Sequence, residues 1–239
     1  MWNGTVNRGC QARHGYDRIR KKTGGGAQPV KKLELLVSSI LAGLLIGVSG
    51  AIYLGSGKIP FGAVLFSVAL FTICTRGMAL FTGRVGYLIT RNDRMVYIGE
   101  LLVIWLGNLI GCAVTALAVA YAKPAYRQMA CELTVLKLSE SPVQTFLLGV
   151  MCGLLMYIAV DHFRIWQGDF GRFVGILLCV PAFILAGFEH VVADMFYLML
   201  GVQQGMIGKI IVFLLVCSLG NACGAWLIPL WDKLRMRQG

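Results

Sequence analysis

Residues 186–201 read AGFEHVVADMFYLMLG, which sets Glu189, His190 and Asp194 inside a run otherwise apolar enough for a bilayer. His190 is one of only three histidines in the chain. Polar side chains in hydrocarbon are costly, so an ionisable residue there marks a functional position by default. The run is also interrupted. RFVGILLCVPAFIL precedes the break, AGFEHVVAD forms it, and a second apolar half follows.

A second stretch has the same form. Residues 60–90, PFGAVLFSVALFTICTRGMALFTGRVGYLIT, break in the middle at TRGMALFTGR. Each broken run is followed by a related motif, LGNLIG at 106–111 and LGNACG at 219–224, so Asn108 and Asn221 stand 113 residues apart (221 minus 108). The order is therefore helix, broken helix, GNxxG helix, and then the same again. Three helices per repeat is an odd number, so the second copy enters the membrane inverted. Interrupted hydrophobic segments at matching positions of two inverted halves point to a central permeation site. Irregular backbone at that depth has to line a cavity or be buried in protein. The N–H groups that open each second half-helix are expected to be free to face an anion.

Composition agrees with a membrane protein. Of 239 residues 57% are hydrophobic and 14% charged, against about 45–50% and about 25% in soluble domains. Six runs reach the roughly 20 residues a spanning helix needs: 33–55, 60–90, 95–121, 143–163, 172–201 and 206–231. The expected fold is all-α with six transmembrane helices in an inverted 3+3 repeat, helices two and five broken. The domain plan is a basic cytoplasmic tail at 1–32, a transport domain at 33–231 and a short basic tail at 232–239.

The net charge of +11 is unevenly spread. With a cytoplasmic N-terminus, 15 of the 22 Lys and Arg residues lie inside and five outside, the remaining two, Arg76 and Arg84, falling in the second run. The positive-inside rule then puts both termini in the cytoplasm, in a cell (inner) membrane. The basic tail suits anionic lipid, and no nucleic-acid partner is expected. Six of the eight cysteines lie inside apolar runs, where cysteine packs as a small hydrophobe. No spacing suggests a metal or cofactor.

Histidine has an unperturbed pKa of about 6.5, near physiological pH, so His190 is the candidate proton site at the centre. Glu189 is expected to point away and cap backbone N–H groups around the break.

The quoted motifs carry a resemblance. GFEHVVADMF is similar to the signature GFEHSxANMF of the formate/nitrite transporter family, and ALFTG at 79–83 resembles that family's ELFTG loop. GNLIG and the lysine before run four also stand where the family has them, so the resemblance covers about 33–231. It implies an aquaporin-like six-helix fold, a homopentamer with one pore per protomer, and transport of a small monovalent anion such as formate, nitrite, hydrosulfide or lactate, often with a proton. It also implies that His190 is the pore histidine and Glu189 its neighbour. Leu80, Phe81 and Thr82 would form the pore loop, Lys137 would sit in the outer vestibule, and Phe66, Leu70 and Phe183 would be apolar constrictions.

The chain departs from that pattern at Arg76, Ala79, Arg84, Gly153 and Asp194. Unpaired charges at this depth cost several kcal/mol each, so Arg84 and Asp194 are expected to replace two neutral asparagines with an ion pair. Gly153 is expected to make the centre roomier or differently polar. In the resulting mechanism Lys137 and the half-helix N-termini draw the anion in. His190 or water coupled to it supplies a proton, with Thr82 as partner, and the neutral acid passes the apolar rings. An aquaporin-like water or glycerol channel is disfavoured by the absence of NPA motifs, and an enzyme by the divergence of adjacent helical side chains. A non-transporting homologue is the remaining alternative.

Overall fold

The computed structural model describes residues 29–166 and 168–236. The basic tail expected at 1–32 lies outside them except for its last four residues, as do residues 237–239. Among the described residues the chain is helical, with no strand.

Helix α1 (Pro29–Gly55) leads to α2 (Pro60–Arg76), which begins on a proline pre-set for the first helical position. The chain restarts as α3 (Phe81–Arg84), which passes into a 3-10 turn over Val85–Thr90. Next come α4 (Arg94–Ala122), α5 (Pro124–Leu138) and α6 (Pro142–Ile165). The last three are α7 (Asp169–Leu185), α8 (Val191–Leu200) and α9 (Ile207–Met236). Helices α1, α4, α6 and α9 are each long and apolar enough to cross a membrane. Helix α2 and the segment 81–90 together form a further candidate span, bent by 51°.

The two interruptions share one backbone construction. Helix α2 stops at Gly77, whose φ of 67° glycine adopts without cost. The Gly77 N–H donates to the Cys74 carbonyl at 3.3 Å and the Met78 N–H to the Ile73 carbonyl at 2.9 Å. Helix α7 stops at Gly187, φ 69°, with Gly187 N–H on the Ile184 carbonyl at 3.2 Å and Phe188 N–H on the Phe183 carbonyl at 2.9 Å. Both are Schellman caps, in which a left-handed glycine lets the last carbonyls of a helix be satisfied as the chain turns away.

The small residues of the two GNxxG motifs set the helix crossings. Gly43 on α1 lies so near Asn108 of α4 that an added Cβ would overlap its backbone carbonyl, and Gly153 on α6 stands in the same relation to Asn221 of α9. Gly111 and Gly224, three residues past the asparagines, press on the backbones of α1 and α6 in return. The two pairs meet where Trp105 Nε1 donates to Ser218 Oγ at 2.9 Å, a contact between residues 113 apart in sequence.

Gly153 thus departs from its expected place. It does not open the centre, because the volume a side chain would need is occupied by the Asn221 backbone. Gly153→Ala should therefore lower the thermal midpoint of detergent-solubilised protein, as should Gly43→Ala at the matching crossing. Each is expected to cost about 1–3 kcal/mol through overpacking, and an unchanged midpoint in both would contradict these close approaches.

Helix α8 forms the middle of the molecule. Val191 through Leu198 are buried along its whole circumference, with Met195, Phe196 and Leu198 fully inaccessible. The outer surfaces are apolar instead. Leu102, Leu106, Ile110, Val114 and Leu117 recur along one exposed face of α4, and Ile211, Leu215 and Leu219 along one of α9. Faces of this kind are found on soluble monomers only in small patches. Here they suit lipid or neighbouring subunits.

Candidate functional site

The site begins with the two helix starts that face each other inside the molecule. Asn108 is completely buried, and its Oδ1 accepts the Phe81 N–H at 2.9 Å while its Nδ2 donates to the carbonyls of Ser39 at 2.8 Å and Ala79 at 3.0 Å. Asn221 repeats the arrangement: Oδ1 accepts the Val191 N–H at 2.9 Å, and Nδ2 donates to Glu189 O at 2.8 Å and Gly149 O at 2.9 Å. Each asparagine ties the irregular segment to its helix and satisfies groups that would each cost about 1–3 kcal/mol unpaired. The opening N–H groups at 81 and 191 are therefore occupied, contrary to the expectation that they face an anion freely. Glu189 does not cap them either. That work falls to the two asparagines, while His190 takes the Ala193 N–H one turn further on.

His190 is the residue before α8 and is 2% exposed. Its Nδ1 accepts the Ala193 N–H at 3.0 Å, so in the neutral ring the proton sits on Nε2. Nε2 lies 2.9 Å from Thr82 Oγ1, and this tautomer makes the histidine the donor and the threonine oxygen the acceptor. The hydroxyl hydrogen of Thr82 is left to bond elsewhere. Phe183 stacks on the imidazole, centroids 5.3 Å apart at 18°, and Phe66 meets Phe183 edge-on at 6.4 Å. Leu70, Leu80 and Phe81 are buried alongside. Thr82, His190, Phe183 and Phe66 are thus brought together around one polar contact between the two segments.

Lys137 reaches the site from a helix the hydropathy pattern did not indicate. Helix α5 is short and amphipathic, and it presents Lys137 in its last turn. The ammonium bonds to Glu189 Oε2 and lies 2.9 Å from Asp194 Oδ1, with the lysine side chain 15% exposed. The Cys217 thiol also points to Asp194 Oδ2, at 3.5 Å. One ammonium shared by two carboxylates leaves no surplus positive charge. Lys137 is therefore not the free cation expected to draw anions in.

This cluster also corrects the expected Arg84–Asp194 ion pair. Asp194 belongs to Lys137, while Arg84 lines a cavity of about 70 Å³ with Arg164 and forms no ion pair among the described residues. The reason is directional. The two half-helices leave the centre in opposite senses, α8 toward α5 and the 81–90 segment toward the end of α9, where Trp226 Nε1 donates to the Val85 carbonyl at 3.0 Å. Residues three or four positions into each half are carried apart.

Elements and site together define a multi-pass helical membrane protein with the polar Thr82–His190 contact buried inside it. The sequence matches the formate/nitrite transporter family over residues 17–231, and the chain belongs to that family. It is 25% identical over 231 residues to the formate-nitrite transporter of Plasmodium malariae, covering 83% of this chain and 73% of that protein. It is 28% identical over 193 residues to the formate channel FocA of Escherichia coli K12, covering 71% and 67%. Among solved structures, an FNT family ion channel superposes with a TM-score of 0.76 at 24% identity, over 94% of this chain and 97% of that one. A pentameric formate channel with formate bound gives 0.74 at 21%, over 88% and 99%. At these identities the two structures establish the shared fold. The curated relatives are channels and transporters rather than enzymes.

Proposed function

We propose that this chain conducts the anions of small weak acids, formate or nitrite in the first instance, through a pore in each protomer of a homopentamer. The supporting observation is the buried Thr82–His190 contact, made where the two half-helices start, with Phe183 stacked on the imidazole and Phe66 edge-on to Phe183. On this reading Leu70, Leu80 and Phe81, buried in the same core, complete the apolar rings. On this reading residues 33–231 form six spans in an inverted 3+3 repeat, α2 with 81–90 and α7 with α8 being the two broken ones. Both termini lie in the cytoplasm, and the membrane is the inner one.

The mechanism follows from the tautomer. His190 Nε2–H donates to Thr82 Oγ1, which polarises the hydroxyl and frees its hydrogen for an oxygen of the anion. A bare anion in the apolar rings loses hydration worth several kcal/mol. A proton arriving from solvent converts it to the neutral acid, which crosses the rings and releases the proton beyond them. His190 and Thr82 hold the oxygen in place during that exchange. Asn108, Asn221 and the Lys137–Glu189–Asp194 cluster keep the two segments that carry the pair in register.

The test is initial formate and nitrite flux into proteoliposomes at saturating anion. Flux should rise as external pH falls from about 8 to about 5, because the external solution then supplies protons more readily. Equal rates across that range would contradict proton coupling. No flux of either anion would contradict the transport reading itself.

A further inference from the structure

The two ends of the expected pathway differ in charge, and the end away from Lys137 holds a cavity lined by two arginines. Arg84 and Arg164 both line the cavity of about 70 Å³ that is walled on its inner side by Leu70, Leu80 and Gly83. Leu80 and Gly83 stand two residues before and one after Thr82, so the cavity abuts the loop that bears the central hydroxyl. Arg164 lies in the last turn of α6, 22 residues after Pro142, which at about 1.5 Å per residue puts it roughly 33 Å from the end of the helix next to Lys137.

Three features mark this cavity as built for an anion. Its lining contains two guanidinium groups and no carboxylate. The Nε of Arg84 is buried with no hydrogen-bond partner among the described residues, and such an N–H is costly unless something satisfies it. The acids of the region are turned to other work or stand aside: Asp161 accepts from the Tyr87 hydroxyl at 3.1 Å, and neither it nor Glu100 lines the cavity. Arg164 is steadied by stacking 4.5 Å from the centroid of the Tyr87 ring, and Arg172 adds a third guanidinium 5.0 Å from the ring of Phe163, another lining residue. The volume exceeds the roughly 10–15 Å³ that one water needs on the same measure, so an ion of a few heavy atoms fits.

Resting on the transport reading above, we propose that Arg84 and Arg164 form a binding site for a small planar oxyanion, a carboxylate or nitrite, held in its charged form at the mouth nearest the end of α9. A guanidinium matches such an ion with paired N–H donors, which an ammonium cannot do. The anion waits there beside the apolar rings, while the opposite mouth presents carboxylates around a neutralised lysine.

The experiment measures thermal stabilisation of the detergent-solubilised full chain by sodium formate and by sodium nitrite, with sodium chloride at equal ionic strength as reference. The wild type should be stabilised by at least one of the two. The concentration for half the effect should rise about tenfold in Arg84→Asn and less in Arg84→Lys, with both variants still eluting as the wild-type assembly. Equal responses in all three proteins, or no response of the wild type to either anion beyond that to chloride, overturn the site. Flux separates this outcome from failure of the transport reading. Binding that depends on Arg84 without flux keeps the site and removes transport, and flux with a half-saturation unaffected by Arg84→Asn keeps transport and removes the site.

Discussion

Replacing His190 by asparagine should lower formate flux by about 100-fold or more, the usual scale for loss of a preorganised hydrogen-bond donor, with the fold retained. Asparagine is chosen because His190 has two tasks. Its Nδ1 caps α8 at the Ala193 N–H, and its Nε2 meets Thr82. Asparagine is a good capping residue, so its Oδ1 can keep the Ala193 bond. It cannot reproduce the imidazole that stacks on Phe183 and orders the Thr82 hydroxyl. His190→Ala removes the cap as well and should add about 1 kcal/mol of destabilisation to the same loss of flux. Comparing the two by flux and by thermal unfolding separates the structural task from the transport one. Near wild-type flux in the asparagine variant would remove His190 from the mechanism.

Lys137→Met should be the most damaging change to stability, lowering it by about 3–5 kcal/mol and sharply reducing recovery of assembled protein. Removing the ammonium strands two carboxylates, Glu189 at 3% and Asp194 at 2% exposure, in a region of low dielectric. Adding Asp194→Asn to Lys137→Met should restore part of the loss, since one stranded charge is then removed. Asp194→Asn alone should be mild, because the lysine keeps Glu189. Gel filtration and thermal unfolding of the four proteins give a double-mutant cycle. Additive effects would contradict the shared ammonium.

Much of this arrangement was legible in the sequence, and the legible part has a common physical origin. A glycine and polar residues within an apolar run disturb the hydropathy pattern strongly, so the helix ends at Gly77 and Gly187 were visible, and with them the meeting of Thr82 and His190. The spacing of Asn108 and Asn221 singled out two residues that bond alike in the structure. Their role as caps was not visible, because it depends on each asparagine facing a loop from another helix. Helix α5 was missed for a different reason: it is amphipathic and flanked by prolines, so 122–142 read as a connecting segment. Without that helix the partners of Lys137 could not be assigned, since Glu189 and Asp194 come from a segment more than 50 residues away. Arg84 was paired with the wrong partner because sequence offers no sense of direction. Two charges close to their respective breaks look adjacent until the half-helices are seen to run apart.

The charge distribution also changes the account of how an anion is received. A lysine at one expected mouth suggested attraction there, but that lysine is held by two acids, and two guanidinium groups line a cavity toward the other end. On the proposed pathway the two mouths are thus chemically unlike, even though the helix ends at Gly77 and Gly187 are built alike.

The central claim is that a weak acid crosses with its proton past the Thr82–His190 pair. Its most direct test is a formate gradient imposed across proteoliposomes loaded with a pH-sensitive dye, with formate and proton movement followed together. The account predicts formate flux well above protein-free vesicles, accompanied by an equal flux of protons in the same direction and lost with His190→Asn. Formate flux without matching proton movement, or retained in that variant, would contradict it.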